Sequence, residues 1–267
     1  QGYRGFAVQA QPGVTLEQDL ARRDLSINAM AQAPDGRLID PYGGQADLQA
    51  RVFRHVTAAF AEDPVRILRL ARFAARFPQF SVAPETRDLM QHMVRMGEVK
   101  HLVAERVWQE LSRGLMAEQP ERMFAELEVS GASADLFPRI PLVAGRLNAA
   151  AHANLPMPAR VAVWLAECSP DQVGAIADQL RLPVDCRDLA LLIVHHRTAL
   201  MQPAFLSAED RLNTLERCDG LRRADRFRLL LAVLPMLGAA PDAVTQWLQI
   251  QAAAASIDAG AIALAVR

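Results

Sequence analysis

A mainly α-helical fold with a small α/β piece at its start is what three features of these 267 residues predict. Beyond Asp63, apolar residues recur at the three-and-four spacing that lines one face of a helix. Six prolines, Pro64, Pro84, Pro120, Pro158, Pro170 and Pro241, stand where helices are expected to begin. Proline suits a first turn because its φ is already helical and its missing N–H has no partner there. The first 60 residues have a different texture, with paired glycines at Gly2/Gly5 and Gly43/Gly44 and short apolar stretches between turn residues.

In chain order, "RGFAVQA" (4–10) reads as a short strand and "RLID" (37–40) as another, the latter after a "PDG" turn. Between them "LEQDLARRDLSINAMA" (16–31) reads as one helix capped by Thr15 with Gln18 three residues on. Helices are expected over 63–77, 84–96, 104–117, 120–130, 158–167, 170–180, 185–197, 207–218, 222–237 and 241–255. "LFPRIPLVAGRL" (136–147) reads as an irregular connection between helical groups. The resulting organisation is a mixed segment over 1–50, a helical segment over 51–140 and a second helical segment over 141–267.

Hydrophobic residues make up 51% of the chain and charged residues 22%, a globular balance. No apolar run reaches the roughly 18 residues of a membrane span, and no signal peptide is visible. Three widely separated cysteines, Cys168, Cys186 and Cys218, lack zinc spacing and suit a reducing cytoplasm. The net charge of −1 advertises no nucleic-acid partner, so any such function must come from local clustering. Lys100 is the only lysine; arginine carries the remaining positive charge and brings forked donors suited to phosphate.

The most unusual cluster is "EDPVRILRLARFAARF" (62–77). With the helix starting at Asp63, Arg69, Arg72 and Arg76 share one arc with Arg66 at its edge, while Ile67, Leu70, Ala71, Ala74 and Phe77 face the other way. One reading is plain: Asp63 caps the helix and the arginines form a solvated face. The other reading uses Asp63 and Arg66 together, three residues apart on the first turn. Cytosine and adenine each present an amino donor beside a ring-nitrogen acceptor, whereas guanine and uracil place a carbonyl where that amino group would be. A carboxylate beside a guanidinium matches the first pair and opposes acceptor to acceptor in the second. That mismatch costs on the order of a few kcal/mol. Arg69 and Arg72 would then run toward a triphosphate.

"RRDLSINAMA" (22–31) is the second candidate: Arg22 and Arg23 can hold phosphate, and Asp24 with Asn28 one turn on can hold ribose hydroxyls. A surface helix with a local Arg–Asp pair is the alternative. "IDPYGG" (39–44) follows, its double glycine able to permit a hinge.

"GYRGF", "LEQDLARRDLSINAMA", "IDPYGG", "RHVTAAFAEDPVRILRLARFAARF", "PET" and "ERVWQEL" occur in this order over residues 2 to about 140. Together they resemble the class II tRNA nucleotidyltransferases, the bacterial CCA-adding enzymes and their poly(A) polymerase relatives. The resemblance implies a partial nucleotidyltransferase head (1–50), a neck with the nucleotide-selecting helix (51–140), and a helical body and tail (141–267) expected to bind tRNA. It implies that Arg23 contacts the incoming nucleotide, that Asp24 and Asn28 recognise its ribose, and that Asp63 and Arg66 form the template selecting C or A. It makes Arg69 and Arg72 nucleotide contacts, Glu62 an organiser of the template supported by Arg22, and "DPYGG" a flexible link. Substrates would be CTP, ATP and the tRNA 3′ end, with no DNA or membrane partner.

The family's chemistry uses Mg2+ held by carboxylates of a "GSxxDxD" motif. That motif is absent, so its ligands are expected upstream of Gln1, the chain is expected to be a fragment, and neither catalytic nor metal-binding residues are assigned within it. No histidine precedes an aspartate, which leaves no His-Asp phosphohydrolase motif, and adjacent His195 and His196 point apart on a helix. A bacterial poly(A) polymerase and a catalytically silent RNA-binding protein are the competing functions.

Overall fold

The structure is a computed structural model in which residues 13–257 are described. The strand expected at 4–10 lies outside the described residues. The chain divides into two compact units, residues 1–139 and 140–267.

The first unit opens with α1 (Leu16–Ala21), whose Thr15 hydroxyl accepts the Gln18 N–H while the Gln18 side chain accepts the Thr15 N–H. The helix expected to run on to Ala31 stops here. Arg22–Asp24 turn away, Leu25 pairs with His55 as an isolated antiparallel bridge, and Ser26–Asn28 form a 3-10 turn. A long-range bond redirects the backbone, the Ser26 N–H donating to the Arg54 carbonyl at 2.9 Å. Strands β1 (Ala31–Gln32) and β2 (Leu38–Ile39) pair antiparallel around the expected turn.

Helix α2 (Gly44–Ala50) has no counterpart in the sequence reading, because its buried face is short and partly polar. Asp40 caps it, accepting the N–H groups of Gly44 at 2.7 Å and Gln45 at 2.9 Å. Desolvation opposes ionisation of Asp40, but these bonds at the helix start, with the Gln45 side chain, together hold its carboxyl below the usual value. The double glycine has local causes other than a hinge. Gly43 sits at φ +71°, and a Cβ at Gly44 would come within 2.2 Å of the Ser26 carbonyl oxygen. Asp47 on α2 then accepts the Ser26 hydroxyl at 2.6 Å and the Arg54 Nε–H at 3.1 Å, which fixes the 24–28 segment from behind.

Strand β3 (Val52–Phe53) lies parallel to β4 (Ser81–Val82), with Phe53 stacked on Phe80 at 4.9 Å. Between them a 3-10 turn (Ala58–Glu62) leads into α3 (Val65–Arg76). Helices α4 (Pro84–Arg95), α5 (Ala104–Leu115), α6 (Pro120–Ser130) and the short α7 (Ala132–Leu136) complete the unit. The buried face of α3, with Ile67, Leu68, Leu70, Ala71, Ala74 and Ala75, packs on α5 and α6. Gly114 lets α5 approach α6, since a Cβ there would meet the Met123 sulfur at 2.0 Å.

The second unit is helical throughout its described part: α8 (Arg146–His152), α9 (Met157–Trp164), α10 (Pro170–Leu180), α11 (Val184–Met201), α12 (Ala208–Arg217), α13 (Ala224–Val233) and α14 (Ala243–Ala255). Helix α9 is its centre, with Ala159 through Trp164 all buried against α8, α11 and α13. Trp247 is fully buried, donates its indole N–H to the Leu200 carbonyl at 2.9 Å and meets Phe227 edge-on. All three cysteines are free thiols in this interior. Burial pushes Cys168 up to about 11 and Cys186 and Cys218 up to about 12, so they act as small apolar groups. Among the described residues no helix is long and apolar enough to cross a membrane.

Candidate functional site: an arginine-rich cleft in the first unit

Three segments converge on an open cleft of about 330 Å3. The bend after α1 contributes Arg22, Arg23 and Asp24; the start of α3 contributes Asp63, Val65, Arg66 and Arg69; and α5 contributes Arg106, Gln109, Glu110 and Arg113. Six arginines therefore face three carboxylates, a local cationic surplus within a chain of nearly neutral charge.

Asp63 precedes α3 in extended conformation, so the helix begins at Val65, two residues later than the start at Asp63 expected from sequence. Its Oδ1 accepts the Val65 N–H at 3.1 Å, so the capping role exists. Its Oδ2 accepts Arg106 Nη2 at 2.6 Å. The Arg66 N–H donates to the Asp63 carbonyl at 3.0 Å, but their side chains, which both line the cleft, are engaged with other groups. Arg66 is braced by backbone, its Nη1 donating to the Ala59 carbonyl at 2.5 Å and its Nη2 to the Arg22 carbonyl at 2.6 Å. An ionised carboxylate has about four acceptor positions and a guanidinium five N–H donors. Each group thus keeps capacity for a ligand while its orientation is set by the protein.

Asp24 is buried and accepts Arg69 Nε at 2.6 Å and the Asn28 side-chain amide at 2.7 Å. Desolvation alone would raise its pKa, but the Arg69 hydrogen bond and charge, with Asn28, hold it below the ordinary carboxylate value. Burial works against charge on Arg69 as well, and Asp24 overrides it to keep the guanidinium firmly protonated. Asp24 and Asn28 meet as expected from sequence, through a bend and a 3-10 turn rather than along a helix. Arg23 pairs with Asp19 at 3.1 Å on the exposed rim.

Two expected residues lie elsewhere. Arg72 is not among the residues lining this cleft; its Nε is bonded at 2.5 Å to buried Glu110, which is, and its guanidinium lies over the Phe73 ring. The helical arc carries it past the opening, since three more residues beyond Arg69 advance it along α3 toward α5. Glu62 ends the 3-10 turn, exposed and outside the cleft lining. Conversely, Arg106, Gln109, Glu110 and Arg113 had no role in the sequence reading. Their signal was present as spacings of three, one and three on strongly amphipathic α5, which puts them on one face.

No group of three or more His, Cys, Asp or Glu among the described residues could hold a metal ion. The carboxylates of the cleft are each bound to arginine or to backbone N–H groups, so the donor set does not fit a magnesium centre.

Comparison with known proteins adds to this geometry. Residues 4–54 match the model of the "Poly A polymerase head domain", and residues 79–142 match "Probable RNA and SrmB- binding site of polymerase A". The multifunctional CCA protein of Azoarcus sp. (strain BH72) is 46% identical over 314 aligned positions, covering 99% of this chain and 76% of that protein. The CCA-adding enzyme of Bordetella pertussis (strain Tohama I) is 48% identical over 266, covering 98% and 71%. Among solved structures, a CCA-adding enzyme in complex with CTP superposes with a TM-score of 0.64 at 22% identity, over 88% of this chain and 59% of that one. The Thermotoga maritima CCA-adding enzyme complexed with tRNA also reaches 0.64, at 21% identity, over 91% and 61%.

Proposed function

This chain belongs to the family of bacterial CCA-adding enzymes, and on that premise we propose that its cleft selects CTP and ATP for addition to the 3′ end of tRNA. The observation that carries the reading is the cleft itself, which the Asp63 and Arg66 side chains both line, each anchored by other groups and open to the same volume. Asp63 accepts the amino group of the base and Arg66 donates to its ring acceptor, while a carbonyl in place of that amino group meets the carboxylate unfavourably. Arg106, the unassigned neighbour, aims the Asp63 carboxylate. Asp24 and Asn28 receive the ribose hydroxyls, Arg69 is oriented by Asp24, and Arg22 and Arg23 at the rim attract the triphosphate. Arg72 and Glu62 enter this reading only indirectly, Arg72 by fixing Glu110 behind the cleft and Glu62 by leading into the segment that presents Asp63.

The protein works in the reducing cytoplasm, consistent with its three free buried thiols. Magnesium supplies the family's transfer chemistry when bound; the described residues do not form its site, and no step here is assigned to it. The experiment is primer extension. Offered all four nucleoside triphosphates and tRNA lacking its 3′ end, the protein bearing this chain incorporates C, then A, and stops. Continued addition of A identifies a poly(A) polymerase, and binding without any incorporation identifies a silent RNA-binding protein.

A further inference from the structure

Beyond the cleft, α3 and α5 enclose a second hollow of about 530 Å3, lined by Arg72, Arg76, Arg113, Met116 and Ala117. Arg113 lines both spaces, so the two adjoin. Three guanidinia border this hollow and no carboxylate lines it. Glu110 serves Arg72 at 2.5 Å and lies 3.9 Å from Arg113, while Arg76 has no ion pair among the described residues. The cations are also held in place. Arg72 lies 4.5 Å over the Phe73 ring and Arg76 5.2 Å over Phe77, so each guanidinium is braced by the aromatic residue that follows it; Arg72 is further fixed by Glu110, while exposed Arg76 keeps its donors for a ligand. Met116, 43% exposed, adds an apolar surface beside the charges.

A braced set of guanidinia beside a small apolar surface suits a phosphate attached to a sugar or base. We propose that this hollow binds a backbone phosphate of the RNA strand whose 3′ end lies at the neighbouring cleft, with Met116 against the adjacent nucleoside. The proposal rests on the nucleotide-selecting reading of the cleft. RNA is the source favoured over a free triphosphate because Arg69, Arg22 and Arg23 already supply cations at the cleft itself, and because residues 79–142, which include Arg113 and Met116, match an RNA-binding model.

Arg76 is the variant of choice, since it is exposed and outside the first cleft. Affinity is measured for tRNA lacking its 3′ end and, separately, for CTP and ATP, at several salt concentrations. Arg76→Ala is expected to weaken tRNA binding by roughly 5-fold and to lower the salt slope by about 0.7–1, as loss of one phosphate contact does. Arg76→Glu weakens it further, and both variants keep CTP and ATP affinity within about twofold of the parent. Unchanged tRNA affinity and salt slope in both variants overturns the proposal, as does an equal loss for the free nucleotides, which would assign the hollow to the triphosphate. A parent protein that binds neither tRNA nor nucleotide overturns the cleft reading as well, whereas intact parent binding with indifferent Arg76 variants defeats this inference alone.

Discussion

Arginine surrounds carboxylate in both units, with opposite outcomes. In the second unit Glu167 is held by Arg146 and Arg197, each at 2.5 Å, and Arg197 also donates to the Ala166 carbonyl. Burial raises the Glu167 pKa less than the Arg197 bond lowers it, and with Arg146 the net effect is a carboxyl below its usual value. Arg160, buried nearby in sequence, spends its guanidinium on the carbonyls of Leu155 and Ala151. These cations fasten segments of one unit together. At the cleft of the first unit six guanidinia border open space with only three carboxylates among them. Counting arginines therefore reveals little; whether their charge is already matched separates fastening from binding.

The contrast is sharpest in stability at Glu110 and Glu167. Glu110 is almost fully buried and Arg72 nearly so, so Glu110→Ala leaves an uncompensated buried cation and costs about 3–5 kcal/mol. Arg146 and Arg197 are closer to solvent, and Glu167→Ala costs about 1–2 kcal/mol because they turn to water. Urea denaturation of both variants checks the order, and equal losses would break the comparison. The next effect is on affinity. Arg69→Ala is expected to weaken all four nucleoside triphosphates alike by about 10-fold, or about 1.4 kcal/mol, whereas Arg146→Ala leaves them unchanged in equilibrium titration.

A smaller effect concerns acid. Asp24 has a folded-state pKa below its ordinary 3.8, so its contribution to stability is complete above the unfolded value and fades as pH falls below it. Urea midpoints measured from pH 5 to pH 2.5 should therefore decline less steeply in Asp24→Asn than in the parent. Glu167→Gln should flatten the same limb through its own lowered pKa, and a steeper decline in either variant would contradict the assigned sign.

Much of this was legible in the residues. Periodicity with proline and capping signals placed the long helices from α3 through α14, and the acid–arginine spacing marked the start of α3. The failures have physical causes. Residues 22–31 carry helical spacing, yet the Ser26–Arg54 backbone bond and the Ser26–Asp47 contact pull them into a bend. No local pattern encodes those partners, which are 28 and 21 residues away. Helices α2, α7 and α8 are too short to establish a period. At the site, Asp24 and Asn28 meet as their chemistry suggested, though through a bend and a 3-10 turn instead of a helix. The Arg72–Glu110 bond was not foreseen because spacing along one helix does not reveal that α5 brings Glu110 to meet Arg72. Arg106 was overlooked because its significance depends on a partner 43 residues away.

The central claim is that Asp63, aimed by Arg106 and set beside Arg66, distinguishes an amino group from a carbonyl on the bound base. The direct measurement is the set of equilibrium dissociation constants for CTP, ATP, GTP and UTP with the parent and with Asp63→Ala. The account predicts tighter binding of CTP and ATP by the parent, and a fall of about 10- to 100-fold in that preference in the variant. A parent that binds all four alike, or a variant that keeps the full preference, would contradict it.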